Sequence, residues 1–209
     1  MLRSLLARES LMGQDPLDIV EGDDVRGEPG RSFLAVRDHV AHSDPDAAVA
    51  VLEAITRMRH VATRHHVRAW HLLRGFGGRP PRGMERRVLG VVAEVGVASG
   101  DDLLAAYADR TARYQNYSGA GVVWSRPDLS MDGPIESVLR AAEPIADRID
   151  PWRGPLRPPP SGGFMRLNVL TPSGIHFGEG QFEVLDRDPL ARPLVRASTC
   201  LMERLTALP

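Results

Sequence analysis

Residues 103–128, LLAAYADRTARYQNYSGAGVVWSRPD, decide how the fold is read. Leu103 to Ala108 and Thr111 to Gln115 flank Asp109-Arg110 as two strands flank a two-residue hairpin loop, although this pair lacks the usual glycine. That register places Leu103, Ala105, Tyr107, Ala112, Tyr114 and Asn116 on one face of the sheet. The opposite face takes Leu104, Ala106, Ala108, Thr111, Arg113 and Gln115. The first face is the expected core, with the rings of Tyr107 and Tyr114 inside it and their hydroxyls reaching an edge. Ser118-Gly119-Ala120-Gly121 reads as a bulge or tight bend, after which Val122, Val123 and Trp124 resume the same strand. Asn116, Tyr117, Ser118 and Trp124 gather at that bend and are candidates for a pocket or a partner surface.

Working outward, residues 88–97 (VLGVVAEVGV) alternate as a half-buried strand, with Leu89, Val91, Ala93, Val95 and Val97 on one face and Gly90, Glu94 and Gly96 on the other. Upstream, Ser43-Asp44-Pro45 places a capping side chain before a proline in the first helical turn. The apolar spacing from Val51 to Leu73 predicts one helix over 45–74, stopped by Gly75, Gly77 and Gly78. Downstream, Ile135, Val138, Leu139, Ala142, Ile145 and Ile149 form a helical stripe that Pro144 is expected to bend. The stretch 151–163, PWRGPLRPPPSGG, is an extended proline-rich crossover on the surface. MRLNVLT and IHFGEGQFEVL flank Pro172-Ser173-Gly174 as a second hairpin, and a final helix from Asp188-Pro189 carries Leu190, Leu194, Ala197, Leu201 and Leu205.

The expected architecture is α+β: one antiparallel five-stranded sheet with helices packed on it, in the order α-β-β-β-α-β-β-α. Residues 1–42 are expected to form an N-terminal segment, partly mobile, before a single domain over 43–209. Within it, 13–32 is acidic and aperiodic, while Leu2, Leu5, Leu6 and Met12 suggest a short amphipathic helix. The 209 residues are enough for one large core.

All 26 basic residues are Arg, the mark of a GC-rich genome, and a bacterial source is expected. Charge is unevenly spread: residues 1–56 hold five Arg against eleven acids, 57–87 nine Arg against Glu85, and 88–209 twelve against fifteen. Arg57, Arg64, Arg68, Arg86 and Arg87 are candidates for a basic surface that meets another protein, an acidic surface, or the chain's own acidic N-terminal segment. Signatures of nucleic-acid modules are missing, which argues against that partner. One cysteine, Cys200, leaves no intramolecular disulfide framework, and the chain shows neither a signal peptide nor an apolar run of membrane length, so the expected compartment is the cytoplasm.

His60, His65, His66 and His71 share the first helix, but intervals of five, six and eleven residues send the rings to different faces, so no metal site is expected. YSGAG is not a nucleophile elbow, and GFGG and GIHFGEG lack the phosphate-loop spacing, so no catalytic residue and no cofactor are assigned. His176 can face the sheet interior or solvent and joins the pocket candidates. The element order resembles that of type III secretion chaperones and YbjN-like bacterial domains over about residues 45–207. That resemblance implies a non-enzymatic, commonly dimeric protein that binds polypeptides; roadblock-like or profilin-like folds would imply scaffolding instead. A protein-binding adaptor, chaperone-like factor or assembly component is therefore the leading expectation. A small-molecule sensor with a pocket at the sheet end, and an enzyme of unknown class, are the alternatives.

Overall fold

The computed structural model describes residues 8–14 and 27–208. The acidic stretch at 15–26 and the apolar positions Leu2, Leu5 and Leu6 lie outside the described residues. Residues 8–11 are helical, and α1 (Gly30–Ala41), α2 (Pro45–Arg57) and α3 (Thr63–Gly75) precede the sheet. The strands β1 (Gly90–Val97), β2 (Gly100–Tyr107), β3 (Ala112–Gln115) and β4 (Gly121–Trp124) follow in sequence. After them come α4 (Asp132–Arg148), β5 (Phe164–Thr171), β6 (Gly174–Gln181), α5 (Phe182–Leu185) and α6 (Arg192–Thr206). The protein is thus α+β, with one antiparallel sheet in the order β4-β3-β2-β1-β5-β6. No helix among the described residues is long and apolar enough to cross a membrane.

The sheet has six strands where five are expected, because 118–121 reverses the chain instead of bulging it. The Asn116 side chain is the cause. Its Oδ1 accepts the backbone N–H of Ser118 at 3.0 Å and of Ala120 at 3.1 Å, and the Ser118 hydroxyl at 2.7 Å. An Asx side chain that satisfies the turn's donors closes a hairpin without a two-residue glycine loop. Val122 and Val123 therefore pair back onto Tyr114 and Arg113.

The β2–β3 connection is also one residue longer than expected. The Tyr107 amide donates to the Thr111 carbonyl at 3.0 Å, leaving Ala108, Asp109 and Arg110 as a three-residue loop with Arg110 at φ 69°. A left-handed residue in third position is the usual substitute for a glycine-based two-residue turn. The shift pairs Leu104 with Tyr114 and Ala105 with Arg113, and a one-residue slip exchanges faces. Tyr107 and Tyr114 consequently point to opposite sides of the sheet.

Both sides are covered, so β1 is not half-buried as its alternation suggests. On one face Val91, Ala93, Leu104, Ala112, Trp124 and Leu167 pack against α4 and α6. On the other, Val92, Leu103, Ala105, Tyr107 and Leu170 pack against residues 11–12 and helices α1 to α3 through Phe33, Leu52, Ile55, Trp70 and Leu73. Burial of each large side chain contributes about 1.5–3 kcal/mol before the conformational entropy it costs. The second layer includes a helix within the stretch expected to be partly mobile: Phe33 and Val36 of α1 are buried.

The single helix expected over 45–74 is two. Asp44 caps α2 through the Ala47 amide at 3.1 Å, as expected, but the helix stops at Arg57. Nothing in RMRHVAT breaks helices; side chains from elsewhere hold the corner. His66 Nε2 bonds the Met58 carbonyl at 2.8 Å, and Asp109 Oδ2 accepts the Thr63 amide at 2.6 Å at the start of α3. An aspartate on the β2–β3 loop thus caps a helix distant in sequence.

The Glu94 carboxylate is fully buried between the sheet and the N-terminal layer. It binds Arg8, Arg166 Nη1 at 3.2 Å and Asn168 Nδ2 at 2.7 Å. Arg166 continues to Glu179 at 2.7 Å and donates to the Pro158 carbonyl at 2.7 Å. Two buried guanidinium groups and two carboxylates balance in charge. They fasten the proline-rich crossover onto the sheet, where it crosses Gly96 so closely that a Cβ there would lie 2.1 Å from the Ser161 carbonyl oxygen.

Replacing Gly96 by Ala is therefore expected to cost about 3 kcal/mol in urea denaturation, the range for overpacking against rigid backbone. Asn116→Ala, whose freed donors can turn to water, is expected to cost only about 1 kcal/mol.

Candidate functional site

The cleft that best fits a binding role lies where the C-terminal end of α3 meets the start of the crossover. Its volume is about 650 Å³, and its walls include His71, Arg74, Phe76, Trp152, Arg153 and Ser173. Each wall has a local cause. α3 ends at Gly75, and Phe76 follows as its C-cap, with 37% of the residue exposed. The crossover is pinned at its entrance by the Trp152 amide, which donates to the Ile175 carbonyl at 2.7 Å. Trp152 then turns its indole N–H to the Pro155 carbonyl at 2.9 Å. A Cβ at Gly154 would lie 2.5 Å from the indole, so a larger residue there would displace the ring.

The Trp152 ring meets Phe177 edge-on at 5.6 Å between centroids, and Phe177 lies beneath the guanidinium groups of Arg157 and Arg166, each at 5.8 Å. The cleft is in this way linked to the buried Glu94 network. An indole held by a hydrogen bond and by an aromatic edge loses little entropy on binding, yet 48% of Trp152 stays exposed.

The electrostatics favour an anion. Arg74 Nη1 donates to the Pro172 carbonyl at 2.9 Å, and burial lowers its pKa to about 10, so it remains charged at neutral pH. His71 is brought down to about 4, first by burial and then by the charges of Arg74 and Arg68, and is neutral. No Asp or Glu stands among the described lining residues. A partly desolvated cation without a lining carboxylate binds negative charge more strongly than a solvated surface arginine does.

The cleft contains Ser173, whose Oγ lies 3.5 Å from His176 Nε2, but this pair is built as structure. Thr171 Oγ1 is closer to the same nitrogen, at 2.9 Å, and His176 Nδ1 bonds the Ile149 carbonyl at 2.6 Å. A carbonyl orients the ring but does not stabilise an imidazolium as a carboxylate does. Burial is the main cause that lowers the His176 pKa, and its exposure is 0%.

The residues nominated from sequence do not converge. Asn116 and Ser118 serve the β3–β4 turn, and Tyr117 is exposed with its amide on Asp102 at 2.9 Å. Trp124 is in the core layer beneath α4 and α6, while His176 is on β6, at the other edge of the sheet. The arginines disperse as well. Arg57 pairs with Glu53, and Arg64 is half-buried on α3. Arg68 is buried with its guanidinium 4.7 Å from the Phe33 centroid. Arg86 binds the carbonyls that end α4 and Asp150, which leaves Arg87 exposed beside it.

Sequence reading passed over Trp152, Phe76 and Arg74 because they come from a linker and a helix end. It also passed over Glu94 and Arg166, although a lone charge inside VVAEVGV and another inside MRLNVLT were visible signals. No group of three or more metal-ligating side chains occurs among the described residues. No family model, curated protein or solved structure matches the chain.

A free imidazole titrates near 6.5, whereas that of folded His71 titrates near 4. Over that interval the unfolded chain binds the proton more readily. The stabilising contribution is complete above about 6.5 and is lost as pH falls toward 4, with His176 acting in the same direction. Urea midpoints measured from pH 7.5 down to 4.5 should fall, and less steeply in His71→Gln; equal slopes would show that His71 is not held neutral.

Proposed function

We propose that this protein is a non-enzymatic binding factor that docks a segment of another polypeptide in the cleft between α3 and the crossover. The segment presents an acidic group beside apolar side chains. The observation that carries this reading is the composition of the cleft: two exposed aromatic residues, Trp152 and Phe76, flank the partly buried cation Arg74, with no carboxylate among the described lining residues. Aromatic and Arg side chains in partly desolvated pockets dominate the binding energy of protein interfaces. The resemblance in element order to type III secretion chaperones and YbjN-like domains points to the same class of function, although the sixth strand and the divided first helix loosen that likeness. An adaptor or assembly component in the cytoplasm, working as a monomer or a homodimer, fits this reading.

Short peptides that pair Asp or Glu with Phe, Leu or Trp provide the test, read by fluorescence polarisation against the intact protein. Saturable binding should weaken at least tenfold in Trp152→Ala and in Arg74→Gln, and added salt should weaken it further. The reading fails if basic and acidic peptides bind alike, or if neither substitution changes affinity.

A further inference from the structure

A second cavity, of about 290 Å³, lies on the opposite side of the sheet beneath α6. Ala93, Val95, Leu104, Met165 and Met202 give it an apolar wall, and Phe182, 40% exposed, stands at its rim. None of the residues nominated from sequence lines it. Its volume is roughly twice the ~150 Å³ of an engineered apolar cavity that takes up benzene.

Four polar side chains belong to the lining, and three are already engaged. Tyr114 donates its hydroxyl to Asp102 Oδ2 at 2.9 Å, and burial together with that bond raises the phenol to about 12. Asp102 Oδ1 accepts the Tyr117 amide at 2.9 Å. Thr199 returns its hydroxyl to the Val195 carbonyl one turn back, at 3.0 Å, as Ser137 and Thr206 do on their own helices. Ser198 differs. It is 2% exposed, and its Oγ has no hydrogen-bond partner. A buried hydroxyl left unsatisfied costs about 1–3 kcal/mol, and such a group in a native protein calls for an explanation.

We propose that this cavity is a binding site for a small uncharged molecule with an apolar body of about eight to ten heavy atoms and one hydrogen-bonding group, which meets Ser198 Oγ. The apolar wall selects the body. The single free hydroxyl selects the polar end, and an ionised end, acid or amine, would give up its hydration against the apolar wall, where no cation stands among the described lining residues and both oxygens of Asp102 already accept from the Tyr114 hydroxyl and the Tyr117 amide. This site does not depend on the cleft that holds Trp152.

The probes are 1-octanol, octane, octanoate and octylamine, titrated into the full-length protein and followed by calorimetry and by the chemical shifts of α6 amides. Octanol should bind saturably and more tightly than the other three. Ser198→Ala should bind octanol about fivefold more weakly, with octane affinity and thermal midpoint not lowered, because the hydroxyl lost had no partner. Ser198→Leu, which fills the space, should raise the thermal midpoint and abolish binding. Saturable binding that survives Ser198→Leu, tighter binding of octanoate or octylamine than of octanol, or no saturable octanol binding to the unsubstituted protein would each overturn the proposal. If Ser198→Leu does not fold, the octanol-to-octane ratio in Ser198→Ala decides, and an unchanged ratio overturns it.

Discussion

The Glu94 carboxylate is removed from water at the middle of a sheet covered on both faces, and three side chains, Arg8, Arg166 and Asn168, converge on it to make that tolerable. Arg8 reaches it from the N-terminal layer, Asn168 and Arg166 from β5, and Arg166 in turn holds Glu179 of β6 and the carbonyl of Pro158 in the crossover. Ionic groups of this kind add little net stability compared with well-packed apolar residues, yet loss of one partner leaves a buried charge uncompensated. Their effect here is positional. They set how the N-terminal segment lies on the sheet and where the crossover runs across Gly96.

That placement builds the cleft. Phe177 alternates onto the same face as Arg166 and lies under its guanidinium, and the edge of Trp152 rests on Phe177. The path from Glu94 through Arg166 and Phe177 to Trp152 joins a fully buried carboxylate to an aromatic residue that is about half exposed. A linker without regular secondary structure thereby acquires a fixed shape, which lowers the entropy lost on binding a partner. The cavity beneath α6 has a different origin, since small and flexible side chains such as Ala93 and Met202 leave the layers incompletely filled there.

How much of this could be read from sequence depends on whether a local rule or a distant contact governs each element. The Asp44-Pro45 cap, the 135–149 stripe and the Pro172-Ser173-Gly174 hairpin obey local rules, and they occur as expected. The helix break after Arg57 depends on Asp109 and His66, and no breaker residue marks it. The face assignment of Tyr107 and Tyr114 turned on a single loop residue, because a left-handed Arg110 imitates what glycine normally supplies. Asn116 was singled out as a candidate site residue, yet its amide is consumed by the turn it closes. The cleft residues were harder to find, since Trp152 gains its role only when a linker is tied down by charges elsewhere in the chain.

Hydrogen exchange on Glu94→Gln tests this account most directly. The substitution keeps the side-chain shape, removes the negative charge and leaves Arg8 and Arg166 buried without their common counter-ion, at an expected cost of about 3–5 kcal/mol. The account predicts that the amides of Trp152 and Gly163, which hold the two ends of the crossover to the sheet, lose protection by a larger factor than those of β1 and β2. Unchanged protection of the crossover relative to those central strands would contradict it.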